Sequence, residues 1–244
     1  MPVAWITGGA RRIGKGLALR LAERGYDIAF TYNTSSEEAR ATKEQIESLN
    51  RTCIMMQCDV TDSAALSNVL TLFSTGLGLA SVVISNAGVF PEPRALHETT
   101  NELVEDTLRV NTLPLLTIAR TYQVLCQQHN HEGRLISIGS LGAEEIWKDR
   151  IAYNVSKSAL QTLAHALARS MAPNITVNTV APGAIAQPQE ITENDSSLIN
   201  PTRIPMQRHG TIDDVFDAVW FFATASPYIT GQTITVDGGY RLVR

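Results

Sequence analysis

The stretch PVAWITGGARRIGKG, residues Pro2 to Gly16, decides how this chain folds. Pro2 to Thr7 is a short apolar run that ends in a glycine turn, the pattern of a buried parallel strand. Ile13 to Arg24 then reads as a helix with Leu17 and Leu21 facing the sheet, and Gly25 closes it. A glycine loop between strand and helix is a nucleotide-type feature, because backbone amides and the helix N-terminus attract phosphate. The spacing Gly9, four residues, Gly14-Lys15 also resembles a Walker A loop. That motif needs a hydroxyl after the lysine to hold magnesium, and Gly16 supplies none.

The same alternation runs to the end of the chain. Strands are expected at 26–32, 52–58, 80–85, 134–138, 175–180 and 232–236. Helices are expected at 35–50, 62–74, 101–128, 152–171 and 213–225, with Pro114 bending or breaking the long one. Strands alternating with helices predict an α/β, single-domain, doubly wound Rossmann fold over residues 1–244. About seven parallel strands would carry helices on both faces, with the site at the carboxyl ends of the strands.

Composition narrows the function classes. The 244 residues are 44% hydrophobic and 18% charged, with a net charge of −4. No basic run suits a nucleic-acid partner, and no apolar run spans a bilayer, so a cytoplasmic protein without nucleic-acid or membrane partners is expected. Cys53, Cys58 and Cys126 lack metal-ligand spacing; they read as buried free thiols, and no metal site is expected.

The chemistry is carried by SLGAEEIWKDRIAYNVSK, Ser140 to Lys157. Tyr153 and Lys157 stand at i and i+4 of a helix, so phenol and ammonium leave one face a turn apart. A nearby cation favours phenolate and lowers a phenol's pKa. With Ser140 thirteen positions upstream, Asn86-Ala87-Gly88 after a strand, Asn111 in a helix and Pro182-Gly183 after another strand, the chain resembles the short-chain dehydrogenase/reductase family from end to end.

That resemblance implies a catalytic set of Asn111, Ser140, Tyr153 and Lys157. Ser140 would hydrogen-bond a substrate carbonyl and Tyr153 would donate the proton. Lys157 would hold the nicotinamide ribose and lower the tyrosine pKa, and Asn111 would anchor a water. The loop would align on Thr7, Gly8 and Gly14, with Arg11, Arg12 and Ile13 beside the cofactor. Asp59-Val60 resembles the family's adenine contact. Asn86, Ala87 and Gly88 would line the cofactor, as would Pro182, Gly183 and Ile185, the last through its backbone. After the second strand stand Asn33, Thr34 and Ser35, with no carboxylate before Glu37. With Arg11 in the loop, a 2′-phosphate would meet donors rather than an acid, so NADP(H) is the expected cofactor.

The substrate class stays open. Where the family loop has a middle glycine this chain has Arg12, as in the pteridine reductase branch, and the 171–185 stretch looks like that branch too. Against it, that branch usually places aspartate at the Ser140 position and serine at the Gly88 position. An NADPH-dependent reductase of a ketone or 3-oxoacyl thioester is one reading. A pteridine or dihydropterin reductase using Arg12 is another, and a non-catalytic NADP-binding regulator a third. Residues 187–205 read as a substrate-covering loop, and Phe90, His97 and Trp147 as candidates to shape the pocket. In relatives the last strand, here around Tyr228 to Gly239, and the helix before it pack against another subunit, often as a tetramer, so a homotetramer or homodimer is expected, with small residues Ala164 and Ala168 on the Tyr153 helix offered to a similar contact.

Overall fold

The computed structural model describes residues 1–186 and 200–243. Among them the strands are β1 (Val3–Ile6), β2 (Asp27–Tyr32), β3 (Cys53–Gln57), β4 (Val82–Ser85), β5 (Gly133–Ile138), β6 (Ile175–Pro182) and β7 (Thr233–Val236). They form one sheet in the order β3-β2-β1-β4-β5-β6-β7, and every pairing is parallel. The order reverses between β1 and β4, which opens a crevice at their carboxyl ends.

The helices are α1 (Arg12–Glu23), α2 (Ser36–Ser48), α3 (Ser63–Leu77), α4 (Asn101–Asn111), α5 (Leu113–Gln128), α6 (Ile151–Met171) and α7 (Ile212–Thr224). The period-2 alternation of strand side chains divides the core. Val3, Trp5, Val83, Leu135 and Val177 pack under α3, α5 and α6. Ala4, Ile6, Phe30, Ile84 and Ile136 pack under α1, α2 and α7. Both faces are thus covered, as an all-parallel sheet requires.

Pro114 acts as its chemistry demands. The 101–128 segment divides at Thr112, and Pro114 enters the first turn of α5, where its missing N–H costs nothing. Gly16 gains a packing role, since a Cβ there would meet Ile212 Cγ2 at 2.3 Å; its bareness lets α1 lie against α7. One expectation is corrected. Ala164 and Ala168 are buried in the chain's own core, so they are not offered to another subunit. Small residues at helical spacing let α6 approach this chain's own sheet instead. The 187–199 part of the expected covering loop lies outside the described residues. Its remaining part begins with a 3₁₀ turn, Pro201–Arg203, followed by Ile204, which buries against Leu141.

The three cysteines are free and buried, and burial pushes the thiols up, Cys53 to about 12 and Cys126 to about 11. Tyr122 locks α5 to the sheet by donating to the Ala80 carbonyl at 2.6 Å, above Gly133, where any Cβ would strike the phenol. Tyr122→Phe is expected to cost about 1–2 kcal/mol, the penalty for under-satisfying a buried carbonyl. A fall in the urea midpoint at unchanged m-value would show it; an unmoved midpoint would refute it.

Candidate active site

The crevice is built around one side chain, Thr7, at the exit of β1. Its hydroxyl accepts from the Asn86 and Ala87 amides at 3.0 and 3.1 Å, tying the β1 exit to the β4 exit. Asn86 returns the contact, donating through Nδ2 to the Thr7 and Gly8 carbonyls, each at 3.0 Å. Gly8 sits at φ +69°, and its amide donates to Thr31 Oγ1 on β2. A Cβ on Gly14 would meet the Gly8 oxygen at 2.0 Å, so glycine alone lets α1 enter this close. Loop and Asn86-Ala87-Gly88 segment are therefore one joint.

Whether this joint suits a dinucleotide can be judged from α1 itself. Its first-turn amides have no intrahelical partner. Arg11 at the N-cap provides no side-chain cap, and the first turn holds no acidic residue. Amides without a cap beside a cradle that excludes a Cβ fit an anionic pyrophosphate. Around the crevice, Arg11 and Asn33 are exposed, and Ser35 precedes α2 without capping it. Asp59 at the β3 exit accepts from the Thr61 amide and hydroxyl, and Val60 is buried. At the β6 exit a Cβ on Gly183 would meet Asp237. Ile185 bridges Gly210 through the flanking Ala184 and Ala186 peptides, which turns its own peptide groups to the other side.

The expected catalytic residues come together as well. Ser140 leaves β5, 5% exposed, with its oxygen accepting from the Gly142 amide at 3.1 Å. Tyr153 and Lys157 stand on α6, with Lys157 Nζ 5.9 Å from the centre of the Tyr153 ring. The ammonium donates to the Ile138 carbonyl at 3.0 Å. Burial lowers its pKa to about 8.

The phenol departs from expectation. Burial raises the Tyr153 pKa, and the opposing influences are a hydrogen bond with Ser140, then the charges of Arg150 and Arg12. Lys157 is not among them. It is itself desolvated, and its proton is directed at Ile138. Asn111 also differs in detail. Its Oδ1 accepts from the Val89 amide at 2.7 Å, and its Nδ2 donates to the Val89 carbonyl and Ser156 Oγ, both at 3.0 Å. The side chain is thus spent on holding α4, the β4 exit and α6 together.

Aromatic rings flank the phenol. Trp147 stacks on Tyr153 at 6.0 Å between centroids and 7° between planes, and Phe90 meets it edge-on at 4.6 Å. Both are expected from the sequence; His97 is exposed on the turn Leu96–Glu98. Arg150, 5% exposed one residue before α6, had no sequence signal, since an arginine among Lys148 and Asp149 reads as solvated. Ile146 and Asp149 on either side of Trp147 hold φ of +42° and +58°. For a β-branched isoleucine this is strain, of the kind that gathers at functional sites. Arg12 also lies in the left-handed region, at φ +54°, and its charge bears on Tyr153.

Residues 8–241 match the family model described as enoyl-(acyl carrier protein) reductase. The 3-oxoacyl-(acyl-carrier-protein) reductase FabG of Staphylococcus aureus is 31% identical over 97% of this chain and 96% of its own. The short-chain dehydrogenase/reductase eriH of Hericium erinaceus is 31% identical over the same shares. A short-chain dehydrogenase from Burkholderia cenocepacia, solved in complex with NADP, superposes with a TM-score of 0.89 at 32% identity, over 98% of each chain.

The buried Lys157 gives a pH signature. With its pKa about 8 in the fold and 10.5 in the unfolded chain, the unfolded state binds more protons between those values. Stability must then rise with pH across that window. Relative to Lys157→Met, the wild type is expected to gain roughly 2–3 kcal/mol from pH 8 to 10.5 in denaturant titrations. A constant difference would show that the amine is not desolvated.

Proposed function

The chain belongs to the short-chain dehydrogenase/reductase family and is an oxidoreductase, and from that premise we propose that it uses NADPH to reduce a carbonyl, a ketone or a 3-oxoacyl thioester. The convergence of Ser140, Tyr153 and Lys157 at the exit of β5 carries the proposal. The nicotinamide, when bound, supplies the hydride. The protein does the rest. Ser140 holds the carbonyl oxygen beside the phenol; its own oxygen accepts from the Gly142 amide, which fixes the side chain at the exit of β5. Tyr153 gives up its proton as charge develops on that oxygen. Fixed donors of this kind need no reorganisation during reaction. A protonated Lys157 has three N–H groups and spends one on Ile138, so the ribose hydroxyls can take the others. Asn111 keeps α4 and α6 in register beneath this site.

The cofactor choice rests on the β2 exit. Arg11 and Asn33 are exposed, Ser35 half-buried, and no carboxylate stands between Thr31 and Glu37, which suits a 2′-phosphate. Support also comes from the NADP complex of the Burkholderia relative. The thioester reading leans on the Staphylococcus relative. A pterin substrate has its own argument: flat Trp147 and Phe90 rings beside Tyr153, with the Arg12 charge near, suit a flat polar heterocycle. Arg12→Gly separates the two, removing pterin turnover while sparing ketone turnover if the second reading holds. Residues 187–205 complete the proposal as the substrate cover. The exposed Leu113, Leu116 and Val124 on α5 offer an apolar strip for a homo-oligomer, a tetramer or dimer.

Tyr153→Phe is expected to lower turnover ~10²–10⁴-fold, the usual worth of a positioned acid. NADPH binding, followed by fluorescence, should persist. A phenylalanine variant with full activity would end the proposal. Initial rates should favour NADPH over NADH, and Arg11→Glu should erase that preference. An unchanged ratio in the variant would place the selectivity elsewhere.

A further inference from the structure

We propose that Arg150 is a positioning residue for Tyr153: it clamps the segment after β4 edge-on against the phenol and keeps a fixed positive charge beside it. The inference rests on Tyr153 being the proton donor. Three observations carry it. Arg150 is buried to 5% exposure, unusual for an arginine. Its guanidinium lies 4.0 Å from the centre of the Phe90 ring and donates to the Pro91 carbonyl. Phe90 in turn meets Tyr153 edge-on. The clamp is doubled by the Arg94 amide, which donates to the Asp149 carbonyl at 2.8 Å. On the other side of the phenol, Asn154 Nδ2 donates to the Trp147 carbonyl at 2.8 Å and holds that strained loop flat.

The charge is immobile. A guanidinium stays protonated throughout the working pH range, and this one is fixed by a ring and a carbonyl. Tyr153 faces Arg150 and Lys157 on or beside its own helix, Ser140 from the β5 exit and Arg12 from the glycine loop; Glu92 in turn faces Arg150. Of the two guanidinium charges that oppose the burial of the phenol, Arg150 comes first and Arg12 second. Removing Arg150 should favour the neutral phenol.

The test uses the full-length enzyme with NADP(H) and a ketone–alcohol pair that it turns over. Arg150→Gln removes the charge and keeps a polar side-chain donor. Arg150→Lys keeps the charge. In the glutamine variant, the pH limb for alcohol oxidation, which needs phenolate, should move up by about one unit. The alkaline limb of ketone reduction, which needs the neutral phenol, should move by the same amount and direction. NADPH binding should be unaltered, and lysine should restore the wild-type limbs. Identical pH limbs in wild type and glutamine variant would overturn the proposal, whatever happens to stability. If the glutamine variant does not fold, Arg150→Met and Phe90→Leu decide. A shifted limb in methionine with a smaller shift in leucine supports the clamp and charge; no shift in either refutes them. Loss of activity in Tyr153→Phe separately tests the role of the phenol, so the two failures are distinguishable.

Discussion

Two ionisable groups, Tyr153 and Lys157, are held largely out of water at one end of the sheet, and this desolvation constrains everything near them. A charge taken from water is tolerated only where fixed dipoles or opposite charges replace the solvent. Here the replacements are the Ile138 carbonyl for the amine, and the Ser140 hydroxyl with two guanidinium charges for the phenol. Each comes from a different part of the chain: a strand end, a loop after it, the turn before α6 and the first glycine loop. The site therefore exists only when the whole sheet is assembled.

Assembly is tightest where the order of strands reverses. Thr7, Gly8, Asn86 and Gly14 share a set of short hydrogen bonds and bare Cα atoms that leaves no space for larger residues. Asn111 performs the same service on the other side, joining the segment after β4 to α6 through Val89 and Ser156. The chemistry-bearing residues ride on these joints. Their geometry is set by neighbours that never approach a substrate.

Much of this was legible beforehand. Apolar runs of strand length ending in Gly, Asn or Ser marked β1, β4 and β5, and the helix expected at 152–171 is α6, with Tyr153 and Lys157 one turn apart on it. Pro114 announced the break between α4 and α5, because a proline's effect on the backbone is local. What stayed hidden depends on distant contacts. Arg150 looks like any surface arginine until Phe90 and Pro91, some sixty positions earlier, close over it. Ala164 and Ala168 have the spacing of a packing face, yet spacing is silent on whether the surface they meet belongs to the same chain. The phenol's raised pKa was hidden for a similar reason, since i, i+4 spacing gives proximity but not the depth of burial.

The cysteines, unremarkable for catalysis, make the molecule self-reporting. All three thiols lie in the interior and resist ionisation there, whereas the thiolate is the form that reacts with electrophiles. Alkylation must wait for the surrounding core to open. Cys53 and Cys126 lie in the cores on opposite faces of the sheet. Tagging kinetics at the two positions would therefore distinguish local loosening of one layer from collapse of both, with no foreign probe introduced.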